Sequence, residues 1–146
     1  ALDDGTIELR RAIHAEPELG LQLPATQQKI LDALTGLGLN VTLGQQTTSI
    51  TADLDSGRPG PTVLLRGDMD ALPLQEANEV PYASRVAGVM HACGHDAHTA
   101  MLLGAAHLLI HKDAAQRKFL FGFHQIFDGF DSAVFKFENM LHLLIP

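Results

Sequence analysis

Residues 62–70 read TVLLRGDMD and decide the fold. The first four form a continuous β-prone run, which is typical of a central strand that is buried on both faces. The run leads directly into Asp68 and Asp70. In open α/β sheets the functional crevice lies beyond the carboxyl ends of the strands, and the period of two in a strand places both acids on one side. The sequence therefore predicts a site at the end of this strand.

The segments on either side of this strand predict an α/β fold. Apolar spacing and turn signals predict five further elements: helices over residues 3–15, 24–37 and 95–111 and strands over residues 39–43 and 49–54. Four residues of the third helix are expected to face inward: Met101, Leu102, Ala105 and Leu109. Residues 71–90 show little periodicity and predict a long loop of the kind that is either functional or disordered. We therefore expect a mixed or mainly parallel sheet with helices packed on it.

Length and charge exclude several classes of protein. The chain has 146 residues, a length typical of one domain, and its net charge of −7 argues against a nucleic-acid or anionic-membrane partner. No apolar run approaches the ~20 residues that cross a bilayer, and the first residues, ALDD, lack the features of a signal peptide. The single cysteine, Cys93, fits a reducing compartment. These observations predict a cytoplasmic protein.

The composition changes sharply near residue 118. All seven phenylalanines lie between Phe119 and Phe137. We therefore divide the chain into residues 1–118 and an atypical Phe-rich tail, residues 119–146. A frameshift, an alternative terminal exon or an artificial junction would explain the tail, and the other interpretation is a hydrophobic strand and helix that close the core. A strand over residues 119–123 is expected beside the 62–65 run.

The densest polar cluster is residues 91–98, HACGHDAH. Thiolate and imidazole are good ligands for zinc and its neighbours in the first transition row. The spacing of Cys93 and His95 allows both side chains to converge on one ion, while Asp96 could hold a histidine ring from behind. The alternative is a buried cysteine in a loop before a helix, surrounded by solvated histidines. Composition and spacing leave these two interpretations open.

The two acids after the strand support the metal interpretation only in combination with this cluster. One of Asp68 and Asp70 could approach a metal while the other orients a ligand or a water. The alternative is a strand end that exposes two solvated acids. His14 is expected either at the surface or in support of the site.

Three blocks of sequence resemble, in the same order, the M20 metallopeptidase family. The similar branch holds hippurate hydrolase, N-acyl-amino-acid amidohydrolases and the plant auxin-conjugate hydrolases. The blocks are residues 9–20 (LRRAIHAEPELG), 66–76 (RGDMDALPLQE) and 88–106 (GVMHACGHDAHTAMLLGAA). The resemblance extends over roughly residues 1–112, and the last block is distinctive by itself.

The resemblance implies an incomplete, N-terminal part of a zinc-peptidase-like catalytic domain with a two-metal site for Zn²⁺ or Mn²⁺. Cys93 and His95 would be metal ligands, and Asp70 would be the catalytic acid that orients the metal site. Four residues would support it: Asp68, His91, Asp96 and His98. The reaction would cleave an N-acyl or aminoacyl amide and release a free amino acid. A small N-acyl amino acid or peptide-like substrate and a homodimeric assembly are the expected partners.

The sequence departs from the family after the third helix. The family has Gln-Pro-Ala-Glu-Glu there, whose Glu pair supplies a general base and a further ligand. This chain has residues 123–129, FHQIFDG, in which Gln125 is an echo and Asp128 is one carbon shorter than Glu. The alternative hypothesis is therefore a truncated, non-catalytic fragment with residual metal binding or partner association. Redox sensing through Cys93 is less favoured, because no resolving cysteine is present.

Overall fold

A computed structural model describes residues 2–111 and 118–124. The described residues form, in chain order, α1 (Leu2–Ala15), α2 (Pro24–Leu34), β1 (Asn40–Leu43), β2 (Ile50–Leu54), β3 (Thr62–Asp68), α3 (His95–His111) and β4 (Lys118–His124). Residues 71–90 form neither a helix nor a strand and contain one isolated bridge, between Leu72 and Met90. The α/β class and the long loop agree with the sequence analysis.

The four strands form one mixed sheet in the order β1-β2-β4-β3. β2 is antiparallel to both β1 and β4, whereas β3 and β4 are parallel. The register places Phe121 of β4 opposite Ala52 on one side and Leu65 on the other. The expected strand over residues 119–123 therefore does lie beside β3.

The prediction that residues 62–65 form a central, doubly buried strand is wrong for the described sheet. β3 lies at an edge of the four described strands and continues to Asp68. Thr62 and Arg66 are exposed, and the three residues between them are only half-buried. A continuous apolar run indicates burial but carries no information on the neighbours of a strand. The interior positions of the sheet are held by β2 and β4, and Phe121 and Phe123 of β4 are fully buried.

The division of the chain at residue 118 stays a prediction. β4 begins at Lys118 and is part of the same sheet as β2 and β3. The rest of the proposed tail, residues 125–146, lies outside the described residues, as do Gln125 and Asp128. Along the part of the chain that is described, none of the helices has both the length and the apolar character that crossing a bilayer requires.

Two predictions about the helices need correction. α2 ends at Leu34 rather than at residue 37, because Thr35 has an extended backbone and Gly36 has a positive φ of 80°. Met101 is 60% exposed rather than inward-facing, and the buried positions of α3 include Leu102 and Leu103. The inward face of α3 is therefore shifted from the one that the spacing predicted.

The core lies between the sheet and one layer of helices. α1 packs against α3, and α3 packs against β3. Buried apolar residues from both helical and strand segments form one cluster: Leu23, Ile30, Leu34, Ile50, Ala52, Met69, Leu102, Leu103, Ala106, Phe121 and Phe123. Since Met69 belongs to this cluster, the segment that follows β3 is anchored to the core where the polar residues begin.

Gly67 allows β3 and the beginning of α3 to approach closely. A Cβ at this position would lie 3.1 Å from the carbonyl oxygen of His98 and 3.3 Å from Cδ2 of Leu102. Such contacts are tighter than van der Waals packing, so an added methyl group has to push the helix away from the strand. Gly67 therefore fixes the distance between the carboxyl end of β3 and the N-terminus of α3.

We expect Gly67→Ala to lower the free energy of unfolding by roughly 1–3 kcal/mol, the usual cost of an overpacked site. Urea unfolding followed by circular dichroism measures this loss. Gly5→Ala in α1 is the matched control, because a Cβ there meets nothing within 4 Å. Alanine is the better helix former, so the control is expected to gain up to about 1 kcal/mol. Equal stability of Gly67→Ala and the wild type would contradict the close approach.

Candidate metal centre

The carboxyl end of β3 and the N-terminus of α3 meet at one point. β3 ends at Asp68, and α3 begins at His95. The hydroxyl of Thr99, in the second turn of α3, donates a hydrogen bond of 2.8 Å to the carbonyl oxygen of Asp68. The two segments that the sequence analysis selected for their chemistry are therefore joined directly.

His95 is buried and held in one orientation by Asp70. Its Nδ1 lies 2.9 Å from the carbonyl oxygen and 3.1 Å from the carboxylate Oδ1 of Asp70. Both oxygens accept, so Nδ1 is the nitrogen that donates, and Nε2 is the one that can bind a metal. Metal-binding histidines typically donate their other ring nitrogen to a carboxylate or a carbonyl in this way. The arrangement prepares Nε2 of His95 as a ligand.

Asp68, His95 and His98 bring three potential ligand atoms together. One carboxylate oxygen and one nitrogen from each ring all lie within 4.8 Å of one another. Oδ2 of Asp68 is 4.0 Å from Nε2 of His95 and 4.0 Å from Nδ1 of His98. Ligand atoms that share one tetrahedral zinc ion, at bonds of about 2.0–2.2 Å, lie roughly 3.3–3.6 Å apart, so a small inward movement of these side chains would bring them to ligand distance. The donor set of two imidazoles and one carboxylate therefore fits a divalent metal.

Arg66 balances part of the negative charge of this cluster. Its Nη2 lies 2.7 Å from Oδ1 of Asp68, the carboxylate oxygen on the other side from the two histidines. This ion pair engages Oδ1 of Asp68 and leaves Oδ2 on the side of His95 and His98.

Cys93 lies in the turn that precedes α3 and is exposed, with a free thiol. The following Gly94 has a positive φ of 78°, which this turn requires and which glycine adopts without strain. Of the described residues, Asp68, His95 and His98 form the three-ligand group, and Cys93 is not one of its members. The roles of Cys93 as a ligand and of Asp70 in catalysis stay predictions.

A buried polar network lies behind the metal cluster. Asp96 is 0% exposed, and its Oδ2 forms an ion pair with Nε of Arg10 at 2.8 Å and accepts a hydrogen bond from Nδ1 of His14 at 2.7 Å. The opposite ring nitrogen of His14 lies 3.1 Å from Oε1 of Glu76. Asp96 therefore does hold a histidine ring, and that ring belongs to His14. His14 itself is buried rather than at the surface.

Glu76 lies at the other end of this network from Asp96 and accepts hydrogen bonds there. The backbone N–H of Ser84 donates to its Oε2 at 2.6 Å, and Asn78 donates to Oε1 at 3.1 Å. These hydrogen bonds, led by that of Ser84 and joined by that of His14, lower the pKa of Glu76 to about 2. Glu76 is therefore ionised throughout the physiological range and only accepts.

The contribution of Glu76 to stability depends on pH. Its pKa is about 2 in the folded chain against an ordinary value of 4.5, so its contribution is complete above about pH 4.5 and is lost as the pH falls towards 2. We expect the free energy of unfolding of Glu76→Gln to decrease less steeply than that of the wild type across this window. Urea unfolding at intervals from pH 4.5 downwards measures both slopes. If the free energies of unfolding of Glu76→Gln and the wild type fell with pH at the same slope, the lowered pKa of Glu76 would be contradicted.

His91 is buried beside this network, and neither ring nitrogen has a hydrogen-bond partner in the structure. Burial is the main cause that lowers the pKa of His91 to about 4. The ring is therefore neutral near neutral pH. Its centroid lies 6.3 Å from that of His14. The prediction that His91 supports the site stays a prediction, with the ring placed next to the network rather than in the three-ligand cluster.

Sequence reasoning did not assign roles to Arg10, Glu76 or Tyr82. The guanidinium groups of Arg10 and Arg11 both lie over the ring of Tyr82, at 5.1 and 4.9 Å from its centroid. The sequence marks Arg10 and Glu76 only by their position, because they fall inside the blocks 9–20 and 66–76 that carry the family resemblance. The contacts join segments that are distant in sequence, and no local pattern reports them.

Comparisons with known proteins point to peptidases and amidohydrolases. Residues 64–127 match the model of peptidase family M20/M25/M40. An N-acyl-L-amino acid amidohydrolase of Geobacillus stearothermophilus is 50% identical over 101 residues, covering 68% of this chain and 27% of that protein. An IAA-amino acid hydrolase of Arabidopsis thaliana is 50% identical over 101 residues, covering 69% of this chain and 22% of that protein.

A solved structure gives the same result. The Bacillus subtilis YXEP protein, described as a dinuclear metal binding peptidase from the M20 family, superimposes with a TM-score of 0.80 at 37% identity. The superposition covers 86% of this chain and 36% of that one. The chain spans about a quarter of the length of the curated relatives that it matches.

Proposed function

Because the chain belongs to peptidase family M20/M25/M40, we propose that it supplies part of the metal centre of a metal-dependent amide hydrolase. The observation that carries the proposal is the orientation of His95 by Asp70, with Asp68 and His98 at ligand distance. A histidine held in this way, next to a carboxylate and a second imidazole, supports a metal site more than a solvated surface.

We propose that His95, Asp68 and His98 hold one divalent metal, Zn²⁺ or Mn²⁺, and that Cys93 is a further ligand, as the family resemblance implies. When bound, such an ion supplies Lewis-acid polarisation of an amide carbonyl and makes a water more acidic. The role of this chain is to hold the ligands. Asp70 keeps the proton of His95 on Nδ1, and Thr99 fixes the end of β3. Asp70 would act in catalysis through His95, by holding the imidazole ring in place.

The proposed substrates are N-acyl amino acids, with release of the free amino acid. Two relatives support this class by name, one an N-acyl-L-amino acid amidohydrolase and the other an IAA-amino acid hydrolase. A small amide with a carboxylate is also compatible with a site that contains both acidic and cationic groups, such as Arg66 beside Asp68. A homodimer is the proposed assembly of the whole protein.

Hydrolysis of N-acetyl amino acids by the purified 146-residue chain, with Mn²⁺ or Zn²⁺ added, tests this function. We expect release of free amino acid above metal-only controls, and its loss in His95→Ala. His107→Gln is the matched control, since it alters a histidine of the same helix three turns further on. Equal turnover in His95→Ala and the wild type would contradict the site. No turnover by a folded, metal-loaded chain would reject the activity for these residues and favour the non-catalytic fragment.

A further inference from the structure

We propose that His14 is a positioning residue of the metal centre, an inference that rests on the proposed function. In this account, His14 ties the first turn of α3, which carries His95 and His98, to the loop that follows Asp70. It touches neither the metal ligands nor a substrate. Its effect is to fix the distance between the two segments that the centre needs.

The two partners of His14 lie on opposite sides of the metal centre. Nδ1 of His14 contacts Asp96, which directly follows His95 in α3. Nε2 contacts Glu76, which lies in the loop six residues after Asp70. One imidazole ring therefore bridges both halves of the centre. Histidine is suited to this task, because its two nitrogens lie on different edges of a rigid ring and reach two partners at once.

The end of α1 and the turn after it hold the loop at further points. The carbonyl oxygen of Ala15 accepts a hydrogen bond of 2.9 Å from the backbone N–H of Arg85. The carbonyl oxygen of Glu18 accepts one of 2.9 Å from the N–H of Ala71. Residues 14–18 thus contact the loop near its beginning and near its end. Together with the bridge between Leu72 and Met90, these bonds help to hold a loop that has no helix or strand of its own.

His14 and both of its partners are buried. The side chains of His14, Asp96 and Glu76 are 5%, 0% and 2% exposed. If the imidazole is removed, Asp96 keeps Arg10 and Glu76 keeps Ser84, but the two carboxylates lose the group that lies between them. Two like charges then face each other across the space that the ring leaves, and they repel each other. The first turn of α3 and the loop are then expected to move apart, and the contact of His95 with Asp70 is expected to loosen.

Cobalt binding tests the inference, because Co²⁺ reports both affinity and ligand geometry through its visible absorption spectrum. The full chain and the variants His14→Phe, His14→Asn and His14→Gln are titrated with Co²⁺. We expect His14→Phe to bind Co²⁺ about 10–100-fold more weakly, the usual loss for a residue that orients a ligand, and to change the shape of the spectrum. A merely structural role would change neither property in the folded chain.

The two amide variants test the contacts of His14 with Asp96 and with Glu76 separately. The amide nitrogen of asparagine is attached at Cγ, as Nδ1 is, so His14→Asn can keep the contact with Asp96. The amide of glutamine extends one atom further and can keep the contact with Glu76. Each is expected to bind Co²⁺ more tightly than His14→Phe and less tightly than the wild type. They also keep the test decisive if His14→Phe does not fold.

Thr48→Val is the structural control. Thr48 is buried and accepts a hydrogen bond of 2.8 Å from the backbone N–H of Leu23, away from the metal centre. We expect it to lower the melting temperature without changing the affinity for Co²⁺. Folded His14 variants with the affinity and spectrum of the wild type would overturn the inference and leave the proposed function intact. A wild-type chain that binds no Co²⁺ would overturn both.

Discussion

Replacing Phe121 with alanine is expected to remove about 3–5 kcal/mol from the free energy of unfolding. Phe121 is 0% exposed and lies in β4, between Ala52 of β2 and Leu65 of β3. Alanine would leave a cavity at the centre of the described sheet, where neighbouring strands on both sides limit collapse. A loss of this size is a large part of the 5–15 kcal/mol that stabilises a typical domain.

Urea unfolding followed by circular dichroism measures the effect of Phe121→Ala. Val41→Ala is the matched control, because Val41 lies on the edge strand β1 and is 40% exposed. We expect the control to change the free energy of unfolding by less than about 1 kcal/mol. If Phe121→Ala lowered the free energy of unfolding by less than about 1 kcal/mol, β4 would not occupy the interior of the sheet.

The second large effect is expected at Asp96. Asp96→Ala removes the acceptor shared by Arg10 and His14 and leaves the buried imidazole of His14 without one of its partners. Breaking a buried ion pair from one side typically costs 3–5 kcal/mol, and we expect about 3 kcal/mol, because Arg10 can regain water. This variant also removes a negative charge from the first turn of α3, where negative charges interact favourably with the helix dipole.

Thermal and urea unfolding of Asp96→Ala measure this loss. Asp32→Ala is the control, since Asp32 is an exposed acid on α2 that accepts a surface hydrogen bond from Gln28. It is expected to change stability by no more than about 0.5 kcal/mol. The double variant Arg10→Ala with Asp96→Ala should be less damaging than the sum of the single changes, because the two residues interact directly. Strict additivity would contradict the network.

The fold class was predictable because its signals are local. A β-prone run ending in two acids and three stretches of helical spacing define an α/β chain without knowledge of any pairing. The place of β3 in the sheet was not predictable in this way. Its neighbour β4 begins only after α3, and Thr62 pairs with Lys118. Pairing between distant strands depends on packing that no short window of sequence contains.

In the candidate site too, local features could be predicted from the sequence and contacts between distant residues could not. His95 and His98 are neighbours in sequence, and Asp68 ends the strand that faces them, so clustering and strand position could predict their meeting. The network behind them could not be predicted, because His14 is 62 positions from Glu76 and 82 from Asp96. A single histidine near the end of an amphipathic helix carries no sign of such partners. Only the fold brings the three side chains together.

Calorimetric titration of the wild-type chain and of His95→Ala with Mn²⁺ shows whether His95 is a ligand in a divalent-metal site. We expect saturable binding to the wild type and an affinity at least about 100-fold lower in His95→Ala, a larger loss than for a residue that only orients a ligand. Unchanged Mn²⁺ affinity in a folded His95→Ala variant, or a folded wild-type chain that binds no Mn²⁺, would contradict it.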